Sequence, residues 1–232
     1  MTPAQTPLSI GTWNLEQAGP GRGARQHEAM RELDLDLWLL TEVRNDALLP
    51  HEHAVRSPVR DVASTMRWAA VCSRWPVEER PSGHQSLALA VVHTPEGELL
   101  TASSVMPWRG AGAHWPGDAD APLADRFRGT LWEHRAAIEQ ARDGRPVVWG
   151  GDFNVALEGP EHAGVTATRA DLVETFAGLG LEARTGHLPH RVPDISTIDH
   201  IAVPASWEVQ AAERHEPGLS DHALYAVRAT RA

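Results

Sequence analysis

Val147-Val148-Trp149-Gly150-Gly151-Asp152-Phe153-Asn154 is the stretch that decides how this chain reads. An apolar run climbs to two glycines and ends on a carboxylate and an amide. A run of that length, entered through Pro146, is a buried strand whose end carries two polar side chains into a cleft. The glycines let the backbone turn and let a ligand come close. Asp and Asn after Gly also make ordinary turns, so the reading depends on what the rest of the chain supplies.

Working outward, a helix over residues 131–142 precedes this strand, with Leu131, His134, Arg135 and Ile138 on one face and Asp143-Gly144 as its stop. Beyond the strand, residues 158–168 read as a loop. Residues 169–179 read as an amphipathic helix with Leu172, Val173, Phe176 and Leu179 inward, closed by Gly180. Toward the N-terminus the spacing predicts strands over 7–15, 35–41, 67–73, 86–94 and 99–105, with Pro95-Glu96-Gly97 as a hairpin turn. A helix is expected over 26–33, after a Gly/Pro loop at 19–23. Residues 45–64 read as a loop with one short helix, and 106–120 as a loop rich in Pro, Gly and Trp. Toward the C-terminus, strands are expected over 198–203, 209–214 and 224–229, with a Pro/His-rich loop at 188–197 and a loop at 218–222. Many strands with a few helices, no internal repeat and no long linker predict an α/β fold of two packed sheets flanked by helices. The whole chain, residues 1–232, reads as one domain.

Composition bounds the function classes. The chain has 232 residues and a formal charge of −10, and its 21 basic residues are all arginine. That balance argues against a broad basic surface for duplex DNA, where affinity comes largely from neutralised phosphates. It is compatible with carboxylates gathered around a metal ion, which restores positive potential locally. The lone Cys72 excludes an internal disulfide and a multi-cysteine zinc site. No apolar run approaches the ~20 residues that span a bilayer. The first nine residues lack the basic start and apolar core of a secretory signal, so a cytoplasmic location is the default expectation. Nine tryptophans are expected mainly in the core or at interfaces.

Polar residues recur at the strand ends: Asn14, Glu16, Glu42, Asp152, Asn154, Asp199, Asp221 and His222. In chain order they lie in Thr12-Trp13-Asn14-Leu15, Leu39-Leu40-Thr41-Glu42, Gly151-Asp152-Phe153-Asn154, Ile198-Asp199-His200-Ile201 and Leu219-Ser220-Asp221-His222. This succession resembles the endonuclease/exonuclease/phosphatase superfamily, which includes abasic-site endonucleases, pancreatic-type deoxyribonucleases, sphingomyelinases and inositol polyphosphate phosphatases. The Ala70–Val77 stretch is similar to an edge-strand segment of those enzymes, and the resemblance spans roughly residues 8–228. It implies a four-layer α/β sandwich of two mostly antiparallel sheets, with the active site where the sheets meet at one end.

The resemblance also implies roles. Phosphoester hydrolysis needs a cation to offset charge on the phosphoryl group and a base to aim water at phosphorus. Glu42 resembles the Mg²⁺ (or Mn²⁺) ligand, Glu16 a second and weaker acidic ligand, and Asp221 a further metal-side carboxylate. Asn14 would orient Glu42 or touch the phosphate. Asp152 resembles the group that directs or deprotonates the attacking water, and Asn154 the one that binds a phosphate oxygen. His222 resembles the histidine at the scissile phosphate, held through its other nitrogen by Asp199; such a carboxylate fixes the tautomer and favours the cation. His200, next along the strand, should point to the opposite face and be structural.

The sequence departs from the family after the strand at 99–105, where relatives usually carry a His or Tyr near the leaving group. Here the residues are Ala102-Ser103-Ser104-Val105-Met106, followed by Trp108-Arg109. Arg109 is a candidate phosphate clamp, His114 a candidate proton donor, and Trp108 and Trp115 candidates to stack on bases or simply to pack. His51 and His53, and His187 and His190, read as loop residues. The expected function is metal-dependent hydrolysis of a phosphoester, foremost a DNA or RNA phosphodiester. The alternatives are a small-molecule or lipid-headgroup phosphatase or phosphodiesterase, and a non-catalytic binding module. No protein partner is implied.

Overall fold

The computed structural model describes residues 6–59, 65–112, 115 and 120–231. Two mixed six-stranded sheets lie face to face. The first holds β1 (Leu8–Asn14), β2 (Leu37–Arg44), β3 (His53–Arg56), β4 (Met66–Ser73), β11 (Glu208–His215) and β12 (Leu224–Thr230), in the order β11-β12-β1-β2-β4-β3. The second holds β5 (Val77–Glu79), β6 (Leu87–Thr94), β7 (Gly97–Val105), β8 (Val147–Asp152), β9 (Leu181–Ala183) and β10 (Asp199–Pro204), in the order β5-β6-β7-β8-β10-β9. Among the described residues only β1–β2 and β7–β8 pair in parallel. Three helices, α1 (Pro20–Leu33), α2 (Leu123–Arg142) and α3 (Ala167–Gly178), cover the outer faces.

The period-two alternation of the strands sorts the side chains into layers. Ile10, Leu37, Leu39 and Val71 of the first sheet meet Ala88, Ala90, Val148, Ile201 and Val203 of the second in the central core. The alternate residues Trp13, Trp38 and Leu40 pack with Met30 of α1. Leu87, Leu89, Leu100 and Trp149 pack with Phe127, Leu131 and Ile138 of α2 and Leu172 and Phe176 of α3. The result is a four-layer sandwich, as the resemblance implied.

Several local expectations change. The Gly/Pro segment at 19–23 is not a loop: Pro20 opens α1, where a missing N–H costs nothing. α2 begins eight residues before 131, at Leu123, and its buried face runs through Phe127, Thr130, Leu131, His134 and Ile138; Arg135 instead pairs with Glu139 at 2.9 Å. Val173 faces solvent at 50% exposure, because Leu172, Phe176 and Leu179 align with the sheet and Val173 lies off that stripe. The described part of 45–64 holds strand β3 and no helix. β9 is a three-residue edge strand too short to show a pattern.

Candidate active site

Strand parity also builds the site. Val148, Gly150 and Asp152 lie on the face of β8 that looks across to the first sheet; a Cβ on Gly150 would sit 2.5 Å from Leu39 Cδ1. Asn14 continues the inward face of Ile10 and Thr12, and Asp199 that of Ile201 and Val203. Asp199 stands opposite Asp152 in the β8–β10 ladder. Gly151 lets β8 run this close to β7: its φ is 130°, and a Cβ there would lie 2.1 Å from Ser104 O. His222 arrives from the loop just before β12, which pairs antiparallel with β1. All these groups therefore share one rim.

Glu42 reaches that rim by breaking the alternation. It sits inside β2, not at its end, with φ 50°. Trp38 and Leu40 before it and Val43 after it all pack in the α1 layer, so the parity changes at Glu42. The left-handed residue turns the carboxylate toward Asn14.

Asn14 Nδ2 donates to Glu42 Oε1 at 3.2 Å and to Asp152 Oδ2 at 3.0 Å. One amide thus ties a carboxylate of each sheet. Asp152 Oδ1 accepts the backbone N–H of Asn154, a residue at φ 52°, at 3.0 Å, while the Asn154 side chain donates to Met106 O at 2.9 Å. His222 Nδ1 donates to Asp199 Oδ2 at 2.7 Å, and its Nε2 stands 3.9 Å from Asp152 Oδ2. Ser220 Oγ donates to Asn14 O at 2.7 Å and accepts the His222 backbone N–H at 3.1 Å, fastening the His222 loop to β1.

The outer acids are bound differently. Glu16 Oε2 accepts from Arg22 at 2.6 Å and from the Asp221 backbone N–H at 3.1 Å. Asp221 is exposed, with Oδ1 at 3.3 Å from Ser220 Oγ. Glu42, Glu16 and Asp221 do not close into a compact three-ligand cage among the described residues. The group whose ligand-type atoms all fall within 4.8 Å is His190, Asp199 and His222. An open set of carboxylate oxygens, Glu42 with Asp152 and Asp221 farther out, is still what a hard cation that keeps waters and takes substrate oxygens can use.

The charges explain one another. Burial pushes the Asp152 carboxyl up, and Asp199 and Glu42 push it the same way against His222 and the Asn14 amide. Burial disfavours the His222 imidazolium, but Asp199, Asp152 and Asp221 outweigh it and hold the ring well above its ordinary range. Negative charge exceeds what one imidazolium offsets, so the donor set fits a bound cation.

A sequence model of the endonuclease/exonuclease/phosphatase family matches residues 11–222, from the first sheet's central strand to His222. The chain belongs to the endonuclease/exonuclease/phosphatase family. Enzymes of this family hydrolyse phosphoesters and generally use divalent metals. No curated protein matches in sequence. The structure is similar to the AP endonuclease LMAP from Leishmania major at 12% identity, covering 100% of this chain and 90% of that one, with a TM-score of 0.71. It is similar to the endonuclease domain of TRAS1, a telomere-specific non-LTR retrotransposon, at 16% identity, 96% and 97% coverage and a TM-score of 0.68. Humanized D. rerio TDP2 matches at 12% identity, 97% and 99% coverage and a TM-score of 0.67. At these identities the likeness establishes the shared fold.

Among the described residues of the 106–120 loop, the family's missing His or Tyr after β7 finds no simple replacement. Arg109 is exposed, and its guanidinium donates to Gly164 O at 3.0 Å. Trp115 is buried and packs on Trp68 at 5.6 Å; Trp108, half-buried, meets Trp68 at 5.8 Å. Ordinary packing accounts for both. His114 lies outside the described residues. His200 points to the far face, fully buried, with Nε2 donating to Val155 O at 2.8 Å, and burial pushes it down to about 4.

Two residues at the site carry no mark of it in the sequence. His190, read as a loop residue, stacks edge-on against His222 at 5.7 Å, and His162 meets His190 at 5.1 Å. Both come from irregular loops, where no periodicity marks a direction. The only signal was that the Pro/His-rich segment directly precedes the Asp199 strand.

Proposed function

We propose that this chain is a divalent-metal-dependent phosphoester hydrolase acting by attack of water, with a nucleic-acid phosphodiester as its foremost substrate. The observation that carries the reading is the Asn14 amide joining Glu42 to Asp152, with the His222 Nε2 edge 3.9 Å from the same Asp152 oxygen. Glu42 would hold Mg²⁺ or Mn²⁺, with Asp221 on the metal side; Glu16, engaged by Arg22, braces the Asp221 loop. When bound, the cation offsets charge on the phosphoryl oxygens and helps orient the ester. Asp152 takes the proton from the attacking water; its burial beside other carboxylates raises its basicity, which suits it to that work. His222 stays protonated against Asp199 and donates Nε2–H to a non-bridging phosphate oxygen. Asn154 keeps one amide hydrogen on Met106 O and offers the other to the phosphate. The leaving-group proton comes from water or from a residue outside this set.

A second reading has one observation behind it. A charge of −10 with no lysine gives a poor surface for a long polyanion, which favours a small phosphoester or a lipid headgroup. Purified protein assayed with Mg²⁺, Mn²⁺ or chelator on supercoiled plasmid, single-stranded oligonucleotide and a generic phosphodiester separates the readings. A nuclease cuts the polymers and binds them with a steep loss of affinity as salt rises. A small-ester phosphatase turns over only the generic substrate with little salt dependence. No turnover under any condition would leave a binding module.

A further inference from the structure

The wall of the cleft facing the carboxylates holds an incomplete pairing. His190 lies in the 188–197 loop and is 6% exposed. Its Nδ1 accepts the backbone N–H of Val192 at 3.0 Å. A backbone amide can only donate, so the neutral ring carries its own proton on Nε2. That Nε2 is buried and has no hydrogen-bond partner. Asp199, fully buried, shows the complementary gap: Oδ2 accepts from His222, and Oδ1 has no donor. A ring nitrogen of His190 and a carboxylate oxygen of Asp199 lie within 4.8 Å of each other and of a His222 nitrogen. Buried polar groups in folded proteins are nearly always paired, and here the orphan donor and the orphan acceptor belong to two residues of one cluster.

We propose that His190 is a positioning residue whose Nε2–H donates to Asp199 Oδ1, so that the carboxylate orienting His222 is held from both sides by imidazoles. A carboxylate bound at one oxygen can pivot about its χ2 torsion; bound at both, it is fixed, and the His222 ring with it. The edge-on packing of His162 on His190 backs the ring from behind. A cation shared by His190, Asp199 and His222 is the competing explanation of the same cluster. It would need a lone pair on His190 Nε2, which the Val192 hydrogen bond assigns to Nδ1.

The activity readout rests on the phosphoesterase reading; the spectroscopic one does not. The test uses the full chain with two substitutions. His190→Phe keeps the ring's shape and its packing but removes both nitrogens. His190→Gln retains a donor and an acceptor. The proton of the short His222 Nδ1–Asp199 bond should resonate at low field in the wild-type protein. It should move upfield or exchange faster in His190→Phe and return in His190→Gln. kcat should fall about tenfold or more in His190→Phe, the usual range for losing a partner that orients a site residue, with KM changed less than about threefold and Gln restoring turnover. An unchanged resonance and full turnover in His190→Phe would overturn the proposal. So would equal loss in both variants, or stoichiometric Zn²⁺ binding that His190→Phe abolishes. A wild-type protein inert toward every phosphoester would sink the proposed function instead, while the resonance comparison still decides His190.

Discussion

The two walls of the cleft are built by different means. The carboxylate wall, Asn14, Glu42, Asp152 and Asp199, is carried by strands of both sheets; register and parity place Asn14, Asp152 and Asp199, and the left-handed turn at Glu42 adds the fourth. The imidazole wall, His162, His190 and His222, is carried by loops whose directions are set by side-chain ties such as Ser220 Oγ to Asn14 O. Strands fix where charge sits, at the cost of gathering like charges in a buried place. Loops bring the compensating and orienting groups. Substitutions in the strand wall should therefore trade activity against stability, and those in the loop wall should act with little effect on the fold.

The sharpest way to break that contrast is Asp152→Asn. Turnover should drop ~10²–10⁴-fold, the range for losing a general base. The melting temperature should hold or rise, because a buried like-charge contact is relieved. Wild-type turnover in this variant would remove the mechanism; a large loss of stability would remove the view that Asp152 is kept for chemistry.

Next in size is a pair of glycine substitutions. Gly151→Ala places a methyl 2.1 Å from Ser104 O at φ 130°, and denaturant unfolding should show a loss of about 3 kcal/mol or more. Gly218→Ala, in the His222 loop at φ 68° with no neighbour within 4 Å, should cost only ~1 kcal/mol. Equal costs would mean that the strand wall is no more constrained than the loop wall.

Acid should weaken the strand wall from behind. Burial holds His200 at about 4 against an ordinary value of 6.5, so between these pH values the unfolded chain binds the extra proton. Its contribution is fully present above pH 6.5 and is lost as pH falls toward 4, by up to ~3 kcal/mol. His200→Gln can still donate to Val155 O without titrating. Its unfolding midpoint should fall less than that of the wild type between pH 7 and pH 4.5; parallel loss would contradict this role. The smallest effect expected is for Arg22→Ala. Its ion pair with Glu16 is more than one-third exposed on both sides, so stability should change by less than ~1 kcal/mol. A turnover loss larger than that of Asp152→Asn would mean that Glu16 and Arg22 do more than brace the Asp221 loop.

What could be read from the sequence divides along the same line. The apolar alternation of β1, β2, β8 and β10 announced both the sheets and the residues at their ends, because burial on a pleated surface imposes a period of two. That period alone puts Asp199 and His200 on opposite faces, Asp199 toward His222 and His200 toward Val155. The sequence alone puts Glu42 at a strand end, since nothing in Leu39-Leu40-Thr41-Glu42-Val43 marks the left-handed residue that turns it. Helical spacing alone puts Val173 inward, but the sheet beneath α3 does not reach it. His190 and His162 carried no directional signal, since a loop side chain is aimed by contacts distant in sequence, such as Tyr225 OH donating to Pro189 O at 3.0 Å.

One amide joins Glu42, proposed to hold a divalent cation, to Asp152, proposed to direct the attacking water, across the two sheets. The direct measurement is the metal dependence of phosphodiester turnover in the wild type and in Glu42→Gln. Turnover should vanish with chelator, return with Mg²⁺ or Mn²⁺, and in Glu42→Gln need at least ~10-fold more metal for half-activity. Turnover indifferent to chelator, or identical metal curves for the two proteins, would contradict it.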